Sequence, residues 1–509
     1  MRRFLLIILP AVLTLVLSIT ACVHKPRTPV TPVTNTDGNY PPAIAKIILN
    51  KCATSGCHNA ASYQNAANLL LDTWDHLLLG SASGAEVVAF SPLYSPFLYY
   101  CNPDSALGTV AKDPGHLDAP ITRDEYLALF NWIAGGAPDK NGNIPFATNT
   151  ATRQKIYLTN QGCDLVAVID AKSRLIMRYI PIGDASDKAP HDVEVSADGI
   201  YAYVNFYNGS YVQKIDTRKD TVVSTVNLGS VVAGGTGGAW SVISLSPMDT
   251  ALMVSGYMPN GYVVTINTGT MQINPNLSVD IFSGGTDKFV YPHGLAGNAA
   301  FDTFYATLQL GNVVNKFTFK PVFWYKYVSL NNSSPVTTNN ATTPDPHQIE
   351  MSPDYSRYFV TCQNTNEVRV MDTYMDTLIT VIPVGTFPQE MDISTSKNYL
   401  FVACMEDVAN PRPGCHGSVY VIDIGNLQVV KKIYGDFYQP HDIAVDEQDG
   451  LVFIPSRNAN PAGPAPHHAT ACNGRAGWYS VYDLNTLEPA DNKRYDATVD
   501  PYAISARFK

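Results

Sequence analysis

Hydrophobic residues recur at one spacing in the first third of the chain and at another beyond it. Between about residues 40 and 146, apolar side chains return every three to four positions in three stretches, "PPAIAKIILNKC", "ASYQNAANLLLDTWDHLLLG" and "TRDEYLALFNWIAGGA". This spacing predicts amphipathic helices. Thr122 and Glu125 form a capping box, which predicts the start of the last helix. We therefore expect a small all-α domain over 41–147.

Beyond residue 150 the pattern changes to short runs rich in Val, Ile and Tyr, separated by turn residues, which predict β-strands. Seven stretches repeat there: "PHDVEVSADG", "AWSVISLSPMD", "PHGLAGNAAFD", "PHQIEMSPDYS", "PQEMDISTSKN", "PHDIAVDEQDG" and "PYAISARF". Further strands follow most of them, giving four strands per unit. Four strands repeated seven times predict a seven-bladed β-propeller over 153–509, so the expected fold class is mainly β.

The two ends of this array predict how the propeller closes. The last repeat contains only a first strand, "PYAISARF", whereas three strands within 155–183 stand at the start with no first strand before them. Joining the ends completes one blade and removes the exposed strand edges of an open array.

The phrase "IYLTNQGCDLVAVIDAKSRLIMRYIPIG" resembles the YVTN family of seven-bladed propellers, and the resemblance covers nearly all of 153–508. It implies the fold and names no substrate.

Composition agrees with a globular protein rich in β structure. Charged residues make up only 15% of the chain, while Gly, Pro and Tyr number 35, 35 and 29, a balance that favours turns and strands over long charged helices. The formal charge of -10 gives no basis for nucleic-acid binding, so no nucleic-acid partner is expected.

The N-terminus predicts export. Arg2 and Arg3 precede the apolar run "FLLIILPAVLTLVLS", which is short for a membrane span and typical of a signal peptide. The sequence "ITAC" resembles a bacterial lipobox, which implies that Cys22 is lipidated. We expect a signal peptide over 1–21, a Pro/Thr-rich extended tether over 22–40, and a protein anchored only by lipid to a membrane facing the periplasm or cell surface. A plain cleaved signal peptide is the alternative.

Cys52, Cys57 and His58 form the sequence C-x4-C-H, whereas the familiar haem-attachment signature is C-x-x-C-H. A disulfide would leave His58 unexplained, and a zinc site would need at least one more ligand. Haem attachment uses all three residues, with two thioethers from the cysteines and the proximal iron bond from the histidine. The motif therefore predicts one covalent haem c.

The segments "IAKIILNKC", "GCH" and "ITRDEYLALFNWIAGGAP" resemble small c-type cytochrome domains. This resemblance implies a distal iron ligand, usually methionine, shortly before the last helix. Residues 40–146 contain no methionine, and His116 occupies that place. We predict His116 as the distal ligand, with His76 or an open site as alternatives. An imidazole in place of a thioether should lower the reduction potential.

The propeller repeats carry a second set of candidate residues, because the position after the leading proline begins the innermost strand and should ring one mouth of the central channel. The set is His191, Trp240, His293, His347, Gln389, His441 and Tyr502. The histidines are explained by inheritance from one ancestral unit, by a metal or second haem, or by an organic ligand or partner at this mouth. Nitrous oxide reductase holds copper and the haem-containing nitrite reductases hold a second haem in a propeller. This chain lacks the copper-binding domain of the former and has seven repeats where the latter have eight.

Two long loops on the same face carry the remaining candidates, Cys404, Cys415, His416, His467, His468 and Cys472. In an oxidising compartment we expect two disulfides, Cys404–Cys415 and Cys163–Cys472. Metal binding by the three histidines is the alternative.

Together these features predict an exported monohaem c-type cytochrome that transfers electrons to redox partner proteins. An oxidoreductase would bind its substrate at the propeller. Two alternatives stay open: a non-enzymatic docking module with the haem as relay, and a propeller with a second redox cofactor on its histidines.

Overall fold

The computed structural model of the 509-residue chain describes residues 37–103, 121–184, 188–229, 239–278, 289–332, 344–457, 472 and 477–508. The predicted signal peptide and Cys22 lie outside these ranges, as do His116, His467 and His468. Within the described ranges, no helix has the length and hydropathy needed to cross a membrane.

The N-terminal part of the described chain is helical. Its elements are α1 (Pro42–Ile47), a π-helical turn (Ile48–Cys52), a 3-10 turn (Tyr63–Asn65), α2 (Trp74–Leu77), a second 3-10 turn (Pro92–Tyr94), α3 (Pro96–Cys101) and α4 (Arg123–Ala134). The capping box at the start of α4 is confirmed, since the Glu125 amide donates to Thr122 Oγ1 and Glu125 accepts from the Thr122 amide. The apolar faces of α1, α3 and α4 meet in one core around Ile48, Leu98 and Leu129, all fully buried.

The long helix predicted over "ASYQNAANLLLDTWDHLLLG" is wrong. Only α2 and one 3-10 turn form there, and Ala67 and Asn68 both have a φ of 55°, a left-handed conformation that a helix excludes. The segment bonds to His58 instead: the Leu71 amide donates to the His58 carbonyl, and the Leu69 carbonyl lies 3.0 Å from His58 Nδ1.

The rest of the described chain forms seven four-stranded antiparallel sheets, which confirms the seven-bladed β-propeller. Blade 1 contains β4 (Pro190–Val195), β5 (Tyr201–Phe206), β6 (Tyr211–Asp216) and β7 (Thr221–Asn227). Blade 2 contains β8 (Ala239–Leu245), β9 (Ala251–Tyr257), β10 (Tyr262–Asn267) and β11 (Gln272–Ile273). Blade 3 contains β12 (Pro292–Gly297), β13 (Thr303–Leu308), β14 (Val313–Thr318) and β15 (Trp324–Ser329).

Blade 4 contains β16 (Pro346–Met351), β17 (Arg357–Cys362), β18 (Glu367–Asp372) and β19 (Thr377–Pro383). Blade 5 contains β20 (Pro388–Ser394), β21 (Tyr399–Cys404), β22 (Ser418–Asp423) and β23 (Gln428–Ile433). Blade 6 contains β24 (Ala444–Asp446), β25 (Leu451–Ser456), β26 (Trp478–Asp483) and β27 (Tyr495–Asp496).

Blade 7 joins the two ends of the array. Its innermost strand is β28 (Pro501–Ala506), which pairs with β1 (Lys155–Asn160), followed by β2 (Leu165–Asp170) and β3 (Leu175–Pro181). The register places Ile156 opposite Ala506 and Leu158 opposite Ile504. The ring therefore closes without an open sheet edge between its first and last strands.

Seven hydrophobic clusters stabilise this ring, one between each pair of neighbouring blades. The inner strands β1 and β2 are buried at every position, whereas the outermost strands β7, β19 and β23 alternate between exposed and half-buried residues. This difference follows from position, because an inner strand packs on both faces and an outermost strand meets solvent on one.

The helical part packs beside blades 6 and 7. The amides of Arg494 and Asp496 donate to the carbonyls of Ala82 and Ser83, at 3.3 and 2.9 Å. Val88 enters the hydrophobic cluster between these two blades.

Candidate functional site

The C-x4-C-H segment folds so that its longer spacer forms a compact turn. The His58 amide donates to the Cys52 carbonyl at 3.1 Å, and the Cys57 amide donates to the Thr54 carbonyl at 3.1 Å. Gly56 has a φ of 85°, and a Cβ there would meet nothing within 4 Å. The two ends of the motif are thus held together despite the two additional residues.

This turn forms one wall of a cavity of about 580 Å³. The cavity is lined by both cysteines and the histidine, with apolar walls that include Leu69, Leu71, Phe97 and Ile121. A space of this volume, mostly apolar and with a few convergent polar groups, is typical of a site for an organic cofactor. It is far larger than a single metal ion requires.

The ring of His58 is oriented by a backbone carbonyl. Its Nδ1 lies 3.0 Å from the Leu69 carbonyl, an interaction that requires the proton on Nδ1 and leaves the lone pair on Nε2. Metal-binding histidines are held in this way by a backbone carbonyl on the other ring nitrogen.

The metal-ligating residues that line the cavity are not gathered around one point. Cys101 also lines the cavity, so four candidate zinc ligands are present. However, the described residues contain one group of three or more metal-ligating side chains whose atoms lie within 4.8 Å of one another, and that group is in the propeller. Burial, followed by the neighbouring Cys57, raises the pKa of Cys52 to about 12.

His76, the alternative distal ligand, has another partner. Its Nδ1 lies 2.5 Å from Asp72 Oδ1 and its side chain is 41% exposed on α2. His76 is not among the described residues that line the cavity.

A second candidate region lies at the centre of the propeller. In each of four blades, a polar residue on the second strand links the first strand of its own blade to the first strand of the next blade. Its side chain accepts from an amide in the first strand of its own blade and donates to a carbonyl of the next blade. The donors are Asn205, Ser255, Thr307 and Thr361, and the carbonyls belong to Ser241, His293, His347 and Gln389. We call the place of the residue that supplies this carbonyl the ring position, because these residues surround the central channel.

Trp240 does not occupy the ring position, in contrast to the sequence expectation. Trp240 pairs with Gly256, as Pro190 pairs with Phe206 in blade 1. Trp240 therefore replaces the leading proline, and Ser241 takes the ring position. The alignment of the repeats differs here by one residue, because β8 begins at Ala239, one residue before the place of the leading proline, whereas β4 begins at Pro190 itself.

The ring closes the channel. Its members are His191, Ser241, His293, His347, Gln389, His441 and Tyr502, and none is more than 4% exposed. These side chains therefore do not form an open surface.

One half of the ring is a packed aromatic cluster. The rings of His441 and Tyr502 stack with centroids 3.7 Å apart, and Tyr502 lies 4.8 Å from His191. His191 Nδ1 in turn lies 3.0 Å from Gln161 Nε2.

The other half brings together His293, His347 and Glu390, whose candidate ligand atoms lie within 4.8 Å of one another. Glu390 follows the ring position of blade 5, and its Oε1 is 3.5 Å from His347 Nδ1. Burial, followed by the charges of Asp442 and Asp192, raises the pKa of Glu390 well above its ordinary range. Burial lowers the pKa of His293 to about 3. The repeat pattern does not indicate Glu390, because Glu390 lies one residue past the position that follows the proline.

Beyond the ring, the channel holds a cavity of about 370 Å³ with a strongly acidic wall. Six carboxylates line it: Asp192, Glu194, Glu350, Glu390, Asp392 and Asp442. No lysine or arginine is among its described lining residues.

The cysteines of the propeller loops differ in their pairing. Cys163 and Cys472 form a disulfide that ties blade 7 to the loop between β25 and β26. The expected Cys404–Cys415 disulfide does not form. Cys404 ends β21 inside the cluster between blades 4 and 5, whereas Cys415 Sγ lies 3.5 Å from Asp436 Oδ1. The two thiols therefore face different surroundings.

His416, a candidate metal ligand of the same loop, pairs with an acid. Its Nε2 lies 3.0 Å from Glu406 Oε2, and Glu406 also accepts from Gln439 Nε2 at 2.7 Å. His416 is not part of a three-residue ligand group among the described residues.

No protein-family model matches the chain. A search of curated proteins likewise found no match. Solved structures share its fold at low identity. Hydrazine synthase of Kuenenia stuttgartiensis is 14% identical, with a TM-score of 0.43 over 59% of this chain and 79% of that one. A functionally unknown protein from Desulfotomaculum acetoxidans DSM 771 is 12% identical, with a TM-score of 0.48 over 69% and 100%. AztD of Citrobacter koseri is 12% identical, with a TM-score of 0.46 over 70% and 97%. Similarity at this level concerns the fold alone.

Proposed function

We propose that this chain is an exported c-type cytochrome that transfers electrons, with one haem bound covalently to Cys52 and Cys57 and with His58 as the proximal iron ligand. The observation that supports this is the shared cavity: all three residues of the motif line the same space of about 580 Å³. Bound haem supplies a one-electron carrier whose potential is tuned by its axial ligands and surroundings.

The surrounding residues would hold the motif and exclude water. Lys51, next to Cys52, forms a 2.7 Å ion pair with Glu125 of the α4 capping box, which fixes the attachment segment against the last helix. The Leu69 carbonyl orients the His58 ring. The apolar walls lower the local dielectric constant, which is one of the means by which a protein sets a haem potential.

An oxidising compartment is part of the proposal. The Cys163–Cys472 disulfide supports it, because disulfides persist in exported proteins and are rare in the cytosol. Lipidation at Cys22 would hold the protein at the membrane surface. Redox partner proteins would take the electrons, and an oxidoreductase activity would need a reacting centre of its own on the propeller.

Expression of the full chain with a c-type maturation system tests the haem assignment. We expect intact-mass spectrometry to show the mass of one added haem, and the reduced protein to show an α-band. Cys52→Ser with Cys57→Ser should abolish covalent attachment.

Cys101→Ser is the matched control, because Cys101 lines the same cavity outside the motif. It should retain the haem. A folded wild-type protein of unmodified mass, or a zinc ion in elemental analysis that is lost in Cys101→Ser, would overturn the haem assignment.

A further inference from the structure

His293, His347 and Glu390 come from three consecutive blades and meet at one point of the channel. The two histidines lie at the ring positions of blades 3 and 4, with ring centroids 3.9 Å apart, and Glu390 lies on β20 of blade 5. Their side chains are at most 9% exposed. Because blade packing fixes all three strands, the group is held by the fold rather than by loops.

We propose that this group binds one divalent first-row transition metal ion through His293 Nδ1, one nitrogen of His347 and the Glu390 carboxylate. This site is separate from the haem cavity in the helical part of the chain, and the proposal does not depend on haem binding.

The first argument is an unsatisfied nitrogen. His293 Nδ1 is buried and has no hydrogen-bond partner among the described residues. A buried polar atom without a partner carries a desolvation cost. Coordination of a metal ion at Nδ1 would remove that cost.

The second argument is the charge around Glu390. Its neighbours in the channel are acids, of which Asp442 and Asp192 have the largest effect. Glu390 also differs from these acids in its contacts. Asp192, Asp392 and Asp442 each accept a backbone amide of the next blade, at 2.7 to 2.8 Å, so they brace the ring. Glu390 instead faces His347 and accepts a hydrogen bond from the Gln348 side chain.

The third argument is the route to the site. Glu390 is part of the wall of the 370 Å³ cavity, where Asp192, Glu194, Glu350 and Asp392 supply further carboxylates. A concave surface of one charge sign concentrates counter-ions. Cations would therefore collect in the cavity beside the group.

The ligand set indicates the class of metal. Imidazole nitrogens suit zinc, iron, copper and nickel, whereas magnesium and calcium prefer oxygen ligands alone. Two histidines and one carboxylate supply three protein ligands, which leaves at least one coordination position for water or a small ligand. The site would thus be of the reactive type rather than a closed structural one.

The test is zinc binding to the full-length protein, purified with chelator and titrated with zinc sulfate in a calorimeter. We expect one tight site per chain and an increase in Tm when zinc is added. Glu390→Gln, which preserves shape, and His293→Ala should weaken that site by more than about 100-fold, since even groups that only orient a ligand contribute 10–100-fold to affinity.

His191→Gln is the matched control, because His191 occupies the same ring position in blade 1 and contacts Gln161. It should bind zinc as the wild type does. Circular dichroism confirms folding of each variant. A folded wild type without a tight site, or unchanged affinity in Glu390→Gln, would overturn the proposal. Haem content, measured on the same samples, reports separately on the helical part.

Discussion

Arg457 and Asp500 form a bidentate salt bridge in the interior of the propeller. Arg457 Nε lies 2.7 Å from Asp500 Oδ1, and Nη2 lies 2.8 Å from Oδ2. The side chains are 1% and 0% exposed. Arg457 follows β25 in blade 6 and Asp500 precedes β28 in blade 7, so the pair joins two blades at the closure. The guanidinium also lies 5.2 Å from the ring centre of Tyr502.

Arg457→Met should therefore destabilise the fold strongly. It leaves the Asp500 carboxylate buried without its counter-charge, and removal of one partner from a buried pair costs about 3–5 kcal/mol. Denaturant unfolding measures the loss. Lys431→Met is the control, because Lys431 pairs with Glu488 at the surface, at 36% and 62% exposure, and should cost less than about 1 kcal/mol. Equal losses in the two variants would contradict the structural role of the buried pair.

The Cys163–Cys472 disulfide should stabilise the propeller. It closes a loop of 309 residues, and removal of a native disulfide costs about 2–5 kcal/mol. The double variant Cys163→Ser with Cys472→Ser should unfold at lower denaturant concentration than the wild type. Reductant should lower the midpoint of the wild type and leave that of the double variant unchanged. A Cys415→Ser control, which removes a free thiol, should respond to reductant as the wild type does.

Asp446 should make stability depend on pH. It is fully buried, Gln154 donates to its Oδ1 at 2.7 Å, and its Oδ2 has no hydrogen-bond partner among the described residues. Burial raises its pKa from 3.8 to about 6. As the pH rises from 3.8 to 6, the unfolded state loses its proton first, so the free energy of unfolding falls by about 3 kcal/mol by neutral pH.

Asp446→Asn should remove this loss. We expect equal stability of variant and wild type near pH 4 and a more stable variant at pH 8, measured by thermal or denaturant unfolding. Asp354→Asn should have the opposite effect on the free energy of unfolding, because hydrogen bonds from Ser352 and Ser356 lower the Asp354 pKa to about 2. That variant should lose stability at pH 8. If the stability of Asp446→Asn changed with pH in the same way as that of the wild type, Asp446 would be ruled out as the source of the pH dependence.

His116→Ala should change the haem spectrum if His116 is the distal ligand. The low-spin spectrum of two axial imidazoles is expected in the wild type and should be lost in this variant. His76→Ala is the control and should keep it, since His76 pairs with Asp72. The wild-type reduction potential should be lower than that of a cytochrome with a methionine ligand. A low-spin spectrum that survives in His116→Ala and disappears in His76→Ala would assign the ligand to His76.

The repeats predicted the blades well because six of the seven begin with the same proline and most of them lead into a turn after the first strand. A polar residue six positions after the proline, at the end of the first strand or directly after it, would also have given the correct register in blade 2. These residues are Ser196, Asn298, Ser352, Ser394 and Asp446, and counting back six from Ser246 gives Trp240. Trp240 thus aligns with the prolines, as strand pairing shows.

Pairing across blades could not be predicted in the same way. Cys404 and Cys415 flank one loop, but strand alternation directs Cys404 into the interior of its blade. The repeats predicted that His293 and His347 lie in one ring, but they did not predict that Glu390, one residue past the ring position of blade 5, meets them in the channel. The motif of Cys52, Cys57 and His58 could be recognised because all its residues lie in one turn.

The pairing of β28 with β1 has a consequence for biosynthesis. Thr159 and Ala503 contact each other across 344 positions of sequence, so β1 leaves the ribosome long before its partner strand exists. Until then β1 has an open edge, and the clusters on both sides of blade 7 lack part of their apolar surface. Such long-range closure slows folding and leaves edges available for aggregation. β28 therefore completes the fold. A nascent or truncated chain that lacks β28 exposes the unpaired edge of β1 to chaperones and proteases, and pairing with β28 covers that edge.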